Sequence, residues 1–548
     1  MSDKAEVRAT KACDYCRLRK IKCIASRHGT GCEACSLGQL ECSYLMVSKR
    51  RGPAPKRRHI VGAAREPRAD MSTPQSNTRI ETRLTNRSSV GGLDPDPQSR
   101  LVHRFVFCPV FDAVMQDYLS VLYALIPVVH VPTFVSHLQE RRHHHDLTFQ
   151  MFCLAISACT FGILPHKFAE YVDKDASTGF TNRRTAIAEI HHSIITARSP
   201  AYHDDFSHEK WAISYLFSVT HAHLGHRSRA KIQFAECNTI VKELGLQRIA
   251  SYHDLNHIER QIRKKAFWLS FIGWSHMNTR EVDSDLTADR SEFEIADAEH
   301  LMPLEVDDEY ITCNQVHPQP EGKLSVVSGF NALIHITDCL VPIFPDSSLS
   351  ALSFNTRDTR CRVNLGTCKC GRYIHKAPLL PSVMARFVKA THVLDDLPLQ
   401  LSFRAVQDTT LDAQFGFMTA NIHVTHVWVR SLLLESLMTI NGATVATNYD
   451  ESLSHNLLWT LQEDICKQLT NVLNDIPEAN LKPNGYILIS KARVVAASLL
   501  DSTLERDDKT LHQARRYLQK FADVLARLDE SYRHDETSDV WTNFHARF

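Results

Sequence analysis

Cysteines at 13, 16 and 23 are followed, after eight residues, by cysteines at 32, 35 and 42, so a C-x2-C-x6-C triplet occurs twice within thirty positions. Six of the 16 cysteines in this 548-residue chain lie there, and their repeated spacing is that of metal ligands. A C-x2-C pair puts two sulfurs one helical turn apart, within reach of one tetrahedral zinc at about 2.3 Å per bond. Six thiolates cannot fill two separate four-ligand sites. They fill both when two of them bridge. The spacing therefore predicts two zinc ions on Cys13, Cys16, Cys23, Cys32, Cys35 and Cys42, with pseudo-twofold symmetry between the halves. Thirty residues bury too little apolar surface to fold alone, so metal binding supplies the folding free energy, about 10–16 kcal/mol for structural zinc in small fingers. A disulfide framework needs an oxidising compartment. The opening MSDKAEVRATKACDYC has no apolar core of signal-peptide length, so disulfides are set aside, and an iron–sulfur site with them.

The charge on the two halves differs. Arg17, Arg19, Lys20 and Lys22 crowd the first, whereas the second, between Cys32 and Cys42, has no Lys or Arg and carries Glu33 and Glu41. Only the first half suits a DNA surface. Most of its cations are expected on phosphates, which position a module without reading sequence, and one or two at guanine O6 and N7, which read it. Residues 1–60 hold 14 Lys and Arg against 5 Asp and Glu, a net of +9; the whole chain is +1, which leaves −8 on the rest. A basic head on a mildly acidic body fits a nucleic-acid-binding module joined to a part with another task.

KACDYCRLRKIKC followed by CEACSLGQLECSY resembles the DNA-binding domain of the fungal binuclear zinc cluster (Gal4-type) transcription factors, over roughly residues 11–45. The resemblance implies that each half is a short helix plus an extended arm, and that the first helix points into the major groove over a CGG-type triplet. It implies zinc on the same six cysteines and a base-reading role for Lys20, three residues before Cys23. Two departures concern the loop between the halves: Ile24 stands where the family usually has Asp, and IASRHGTG lacks the usual proline, with Gly29 and Gly31 left to supply the turn. His28 in that loop reads as a solvent residue, because six sulfurs complete both metals.

Residues 46–100 read as a basic, polar linker with little to bury. Within it, KRRGPAPKRR presents Lys49, Arg50, Arg51, Lys56, Arg57 and Arg58, a nuclear localisation signal for importin that can also trail along phosphates. Ile80 and Leu84 are the only helically spaced apolar pair there, short of the three heptads a coiled coil needs. A homodimer through this segment is therefore unsupported, and single-site binding and dimerisation through the body both stay open. From residue 101 the texture becomes helical. FDAVMQDYLSVLYALIPVVHVPTFVSHL (111–138) has helical spacing and is expected to break at Pro127 and Pro132; its His130, Pro132 and Phe134 resemble the start of the family's middle homology region. IERQIRKKAFWLSFIGW (258–274) and MPLEVDDEYIT (302–312) resemble later segments of that region, though the usual Asp-Arg after the Phe-Trp helix is not evident.

Further helices are expected near 148–162, 207–224, 228–245, 256–275, 381–396, 409–440, 452–474, 486–504 and 508–530. The body is thus all-α, one or two bundles: the middle homology region at 101–345, a C-terminal helical region at 346–530, and an acidic, aromatic tail at 531–548. No apolar run reaches the 18–20 or so residues that span a bilayer, so no membrane partner is expected. His221, His223 and His226 in THAHLGH lack an H-E-x-x-H pattern. His143 to His145 read as a solvated run, and Asp307, Asp308 and Glu309 as a polar loop. Arg263, Lys264 and Lys265 read as the basic face of a helix. Cys361, Cys368, Cys370 and His375 have a spacing unlike common zinc sites. No phosphate loop, nucleophile elbow or motif-placed carboxylate pair appears, so no enzyme is expected.

The expectation is a small zinc-stabilised DNA-binding module plus a large all-α body. The function expected of it is that of a nuclear, sequence-specific RNA polymerase II transcription factor, an activator of metabolic or secondary-metabolite genes, reading a CGG-like triplet in double-stranded DNA through the first half of the two-zinc cluster and engaging the transcription machinery. The alternative is a zinc-cluster adaptor or corepressor acting through protein contacts.

Overall fold

Runs of apolar residues at helical spacing set where the helices of the body lie, and five of them begin at a short side chain that caps free N–H groups: Asp146, Asn182, Ser207, Ser325 and Ser454. The structure is a computed structural model describing residues 12–14, 16, 22–24, 31–32, 35–36, 42–44, 102, 104–174, 180, 182–278, 298–340, 380–403, 412–446, 453–503 and 508–533. The chain divides into two units, Met1–Ser89 and Val90–Phe548. Arg17, Arg19, Lys20, His28, Gly29, the linker with its basic decamer, Ile80, Leu84, the Cys361–His375 group and residues 534–548 lie outside the described residues.

The second unit opens with α1 (Pro109–Asp117), α2 (Val131–Gln139), α3 (Leu147–Ile163), α4 (Pro165–Lys174), α5 (Arg183–Ala197), α6 (His208–His223), α7 (Arg227–Glu243) and α8 (His257–Asn278). It continues with α9 (Val326–Asp338), α10 (Leu380–His392), α11 (Ala413–Ala446), α12 (His455–Asp475), α13 (Gly485–Thr503) and α14 (Asp508–Arg533). Among the described residues of this unit the β pairing is confined to an isolated bridge between Ile311 and Val316, so the body is helical with no sheet. Asp146 caps α3 by accepting from the Phe149 N–H at 3.0 Å, and Asn182 caps α5 by accepting from Arg184 and Thr185. Pro132 begins a helix instead of ending one: it sits in the first turn of α2, where a missing N–H costs nothing, and His130 is the cap.

Two apolar cores fill the body. In the first, α3 is wrapped by α1, α5 and α6, so Met151 to Pro165 are buried without interruption. In the second, α11 runs through the middle of α9, α10, α12 and α13, and Ile422 to Ser431 are all buried. Trp211 of α6 donates to Ser270 of α8 at 3.0 Å and fixes those two helices together. No single described helix is long and apolar enough to cross a membrane; α3 and α4 pass only as a pair bent by 111°.

The three body segments that resemble the middle homology region meet in space. Asp308 of VDDEY is buried and accepts from Lys265 Nζ (2.7 Å), the Tyr123 hydroxyl (2.5 Å) and the Val131 N–H (2.9 Å). His130 reaches the carbonyls of Asp308 (2.9 Å) and Ile311 (3.1 Å). Asp308 is therefore not part of a polar loop, nor is Lys265 on an exposed basic face. Each is the other's buried counter-ion, and segments 177 residues apart are locked by one carboxylate.

Buried histidines make the body acid-sensitive. His143 is fully buried against Phe111, and neither of its ring nitrogens has a hydrogen-bond partner, in contrast to the expected solvated run. His221 is equally buried, while His423 and His426 donate to the Leu401 and Ala390 carbonyls. Burial pushes His143, His423 and His426 down to about 4 and His221 to about 3. These groups stay neutral when folded and charge when unfolded, so stability is full above about 6.5 and falls as pH drops towards 4. Each contributes at most about 1.4 kcal/mol per pH unit in that window. Thermal melts at pH 7.5 and 5.5 should differ by several degrees, and equal melting points would contradict the burial.

Candidate metal centre

A C-x2-C pair in a helical turn brings its first sulfur under the N–H of its second cysteine, and both halves of the N-terminal unit do this. The backbone is helical at Asp14 and Cys16 and again at Cys35 and Ser36. Cys16 N–H donates to Cys13 Sγ at 3.5 Å and Cys35 N–H to Cys32 Sγ at 3.4 Å. The expected pseudo-symmetry is thus visible at the first pair of each triplet.

The sulfurs of the two halves converge. Cys13 Sγ is 3.6 Å from the sulfurs of both Cys32 and Cys35, and Cys16 Sγ is 3.6 Å from that of Cys32. All four sulfurs lie within 4.8 Å of one another and are buried. Such separations are too long for an S–S bond of about 2.05 Å. They match the edge of a sulfur tetrahedron around zinc, about 3.8 Å for 2.3 Å bonds. Cys13 and Cys32 touch each other, and each also touches the second cysteine of the opposite half. They are the pair common to both halves.

Cys23 is buried in the same cluster, interacting with Cys16, Cys13 and Cys32, while Cys42 is half-buried at its edge beside Cys35. The thiol of Cys42 donates to the Tyr44 hydroxyl at 3.8 Å. The thiols sort by position. Burial raises Cys32, but the Cys35 N–H and the thiols of Cys35, Cys16 and Cys13 outweigh it and bring Cys32 to about 6. Cys13 is lowered in the same manner, burial being outweighed chiefly by the Cys16 N–H. Burial followed by neighbouring thiols raises Cys16 and Cys35. The first cysteine of each triplet is thus shifted towards the thiolate, the form that binds metal.

Two supports of the cluster escape a reading by cysteine spacing alone. Asp14 N–H donates to the Ser43 carbonyl and Ser43 Oγ to Asp14 Oδ2, both at 2.9 Å, so the residues following the first and last cysteines clasp the unit shut. Gly31, expected only as a turn residue, also makes room: a Cβ there would stand 3.0 Å from Cys42 Cβ. Of the four cations expected at DNA, Lys22 is exposed beside Cys23, and the other three lie outside the described residues.

Residues 11–51 match the family described as the fungal Zn(2)-Cys(6) binuclear cluster domain, a non-catalytic class. The chain is similar to the maltose fermentation regulatory protein MAL13 of Saccharomyces cerevisiae, 24% identical over 269 residues, covering 48% of each protein. It is similar to MAL63 of that yeast at 23% over 272 residues, 48% of this chain and 49% of the relative. The chain thus spans about half the length of these curated relatives. Over 44 residues, 8% of this chain and 5% of the relative, it is 50% identical to the uncharacterized transcriptional regulatory protein C530.08 of Schizosaccharomyces pombe. No solved structure matches.

Proposed function

We propose, from the fungal Zn(2)-Cys(6) binuclear cluster domain that this chain carries near its N-terminus, that it is a sequence-specific, DNA-binding regulator of transcription. The observation that carries the reading is the convergence of Cys13, Cys16, Cys32 and Cys35 on one another, inside a segment whose first half is basic and whose second is acidic. Cys13, Cys16, Cys23 and Cys32 would hold one zinc and Cys13, Cys32, Cys35 and Cys42 the other, Cys13 and Cys32 being common to both sets. Zinc supplies charge and a fixed frame here. Its task is folding, and the protein's own cations meet the duplex.

The basic first half of the unit presents Arg17, Arg19, Lys20 and Lys22 to a CGG-like triplet in the major groove. Lys20 reads bases, and its neighbours hold phosphates. The basic decamer from Lys49 to Arg58 brings the protein to the nucleus through importin and adds phosphate contacts. The helical body controls the output on a set of metabolic genes, in keeping with its similarity to two maltose fermentation regulators.

Lys20→Ala should cost on the order of 1–3 kcal/mol on the preferred duplex and relax preference within the triplet. Arg17→Ala should weaken all duplexes alike and reduce the salt slope by about 1. Titration of both variants against preferred and random duplexes at two salt concentrations checks this, and equal losses on both duplexes for both variants would refute the division of labour. Selection of bound duplexes from a random pool, with zinc measured on the same sample, tests the reading as a whole. A pool that returns no common element would favour an adaptor that works through protein contacts.

A further inference from the structure

The body holds a cavity of about 690 Å³ between its two apolar cores, within the range of small-molecule sites, about 300–1,000 Å³. Helices α6, α7 and α8 wall it on one side, and α9, α11, α13 and the turn at Pro483–Asn484 on the other. Most of the wall is apolar, from residues such as Ile126, Phe234, Ile272 and Leu333. Its charge is one-sided. Arg227, Lys231 and Lys491 line it, and no Asp or Glu is among the described lining residues.

The three cations are graded by depth. Arg227 is exposed and Lys231 half-buried, one turn apart on the same face of α7, whereas Lys491 of α13 is 3% exposed. Lys491 Nζ donates to Thr425 Oγ1 at 2.7 Å, stands 3.4 Å from Asn421 Oδ1 and lies 5.5 Å from the Trp428 ring. Thr425 and Asn421 also line the cavity, so the ammonium sits among dipoles on its wall. A cleft of one sign with low-dielectric walls concentrates the field and draws in the opposite charge. Asn484 adds a second requirement. Its amide NH₂ is committed to the Phe417 and Asn480 carbonyls, both at 3.1 Å, which leaves its buried Oδ1 as an acceptor with no partner.

We propose that this cavity binds a small organic anion: an apolar or aromatic body carrying a carboxylate or similar group for Lys491, and an N–H or O–H donor for Asn484. Arg227 and Lys231 attract the anion at the rim. Because the walls come from both cores, an occupant bridges them and stiffens the body as one piece. The site is independent of the DNA-binding reading, since its test uses no duplex, and either can fail alone.

A matched pair of fluorescent probes tests it on the full chain. Anilinonaphthalene sulfonate is anionic, aromatic and bears an N–H; N-phenyl-1-naphthylamine is the same body without the sulfonate. The chain should bind the sulfonate at one saturable site at least tenfold more tightly than the neutral probe. Lys491→Met should weaken the sulfonate about tenfold or more and leave the neutral probe unchanged. Arg227→Gln, at an exposed position that does not threaten folding, should weaken the sulfonate two- to fivefold and flatten its salt dependence. Equal affinity for both probes, or sulfonate affinity unchanged in both variants, would overturn the proposal. Should Lys491→Met fail to fold, the probe pair and Arg227→Gln decide it.

Discussion

Cys32→Ser should take the zinc content of the full chain from two ions to none and abolish specific duplex binding, a loss of more than about a thousandfold. Cys32 lies 3.6 Å from the sulfurs of both Cys13 and Cys16 and receives the Cys35 N–H, so its removal opens both tetrahedra together. Metal-driven folding in units this small is worth about 10–16 kcal/mol, far more than any contact left in the unit can replace. Cys13→Ser should behave alike. Cys42 is half-buried at the edge, so Cys42→Ser should retain one ion and part of the affinity. Native mass spectrometry with duplex titration distinguishes these outcomes, and a wild-type chain carrying a single ion or none would bring down the two-zinc reading.

Lys265→Met should destabilise the body by about 3–5 kcal/mol, because it leaves Asp308 buried without its cation. Lys265 and Asp308 are 1% and 3% exposed and 2.7 Å apart. Burial alone would raise the Asp308 carboxyl, but Lys265 above all, with His130 and the Tyr123 hydroxyl, holds it below the usual carboxylate range. A depressed carboxylate contributes stability at neutral pH that is lost as pH falls through its folded value, below about 4. The control is Lys389→Met: Lys389 and Asp338 are as close, at 2.7 Å, but about half exposed, and such a pair is worth under about 1 kcal/mol. Urea unfolding followed by Trp fluorescence should separate the two variants clearly. Similar midpoints would show that the buried pair is not what locks the body.

What local pattern governs was legible before any coordinates. The expectation of a helix at 148–162 meets Leu147–Ile163, and that at 228–245 meets Arg227–Glu243, since apolar spacing and caps act within a few residues. Convergence of the cysteines followed from valence and spacing. The helices Pro165–Lys174, Arg183–Ala197 and Val326–Asp338 were not anticipated. Pro132 looked like a break because its position relative to the cap decides whether proline ends a helix or starts one. Asp308 and His143 were misread for a deeper reason: their burial is set by Lys265, Val131 and Phe111, partners distant in the chain whose approach no local pattern announces. The Asp14–Ser43 clasp had a faint signal, each residue directly following an outermost cysteine.

Helix α11 spans 34 residues, about 50 Å, and depends on later helices to cover it. At about 5–20 residues per second, the ribosome needs on the order of ten seconds beyond Ala446 to deliver α12, α13 and α14. Throughout that interval the nascent chain trails a greasy rod with too few neighbours to hide it. Until those helices arrive, covering of this surface competes with self-association.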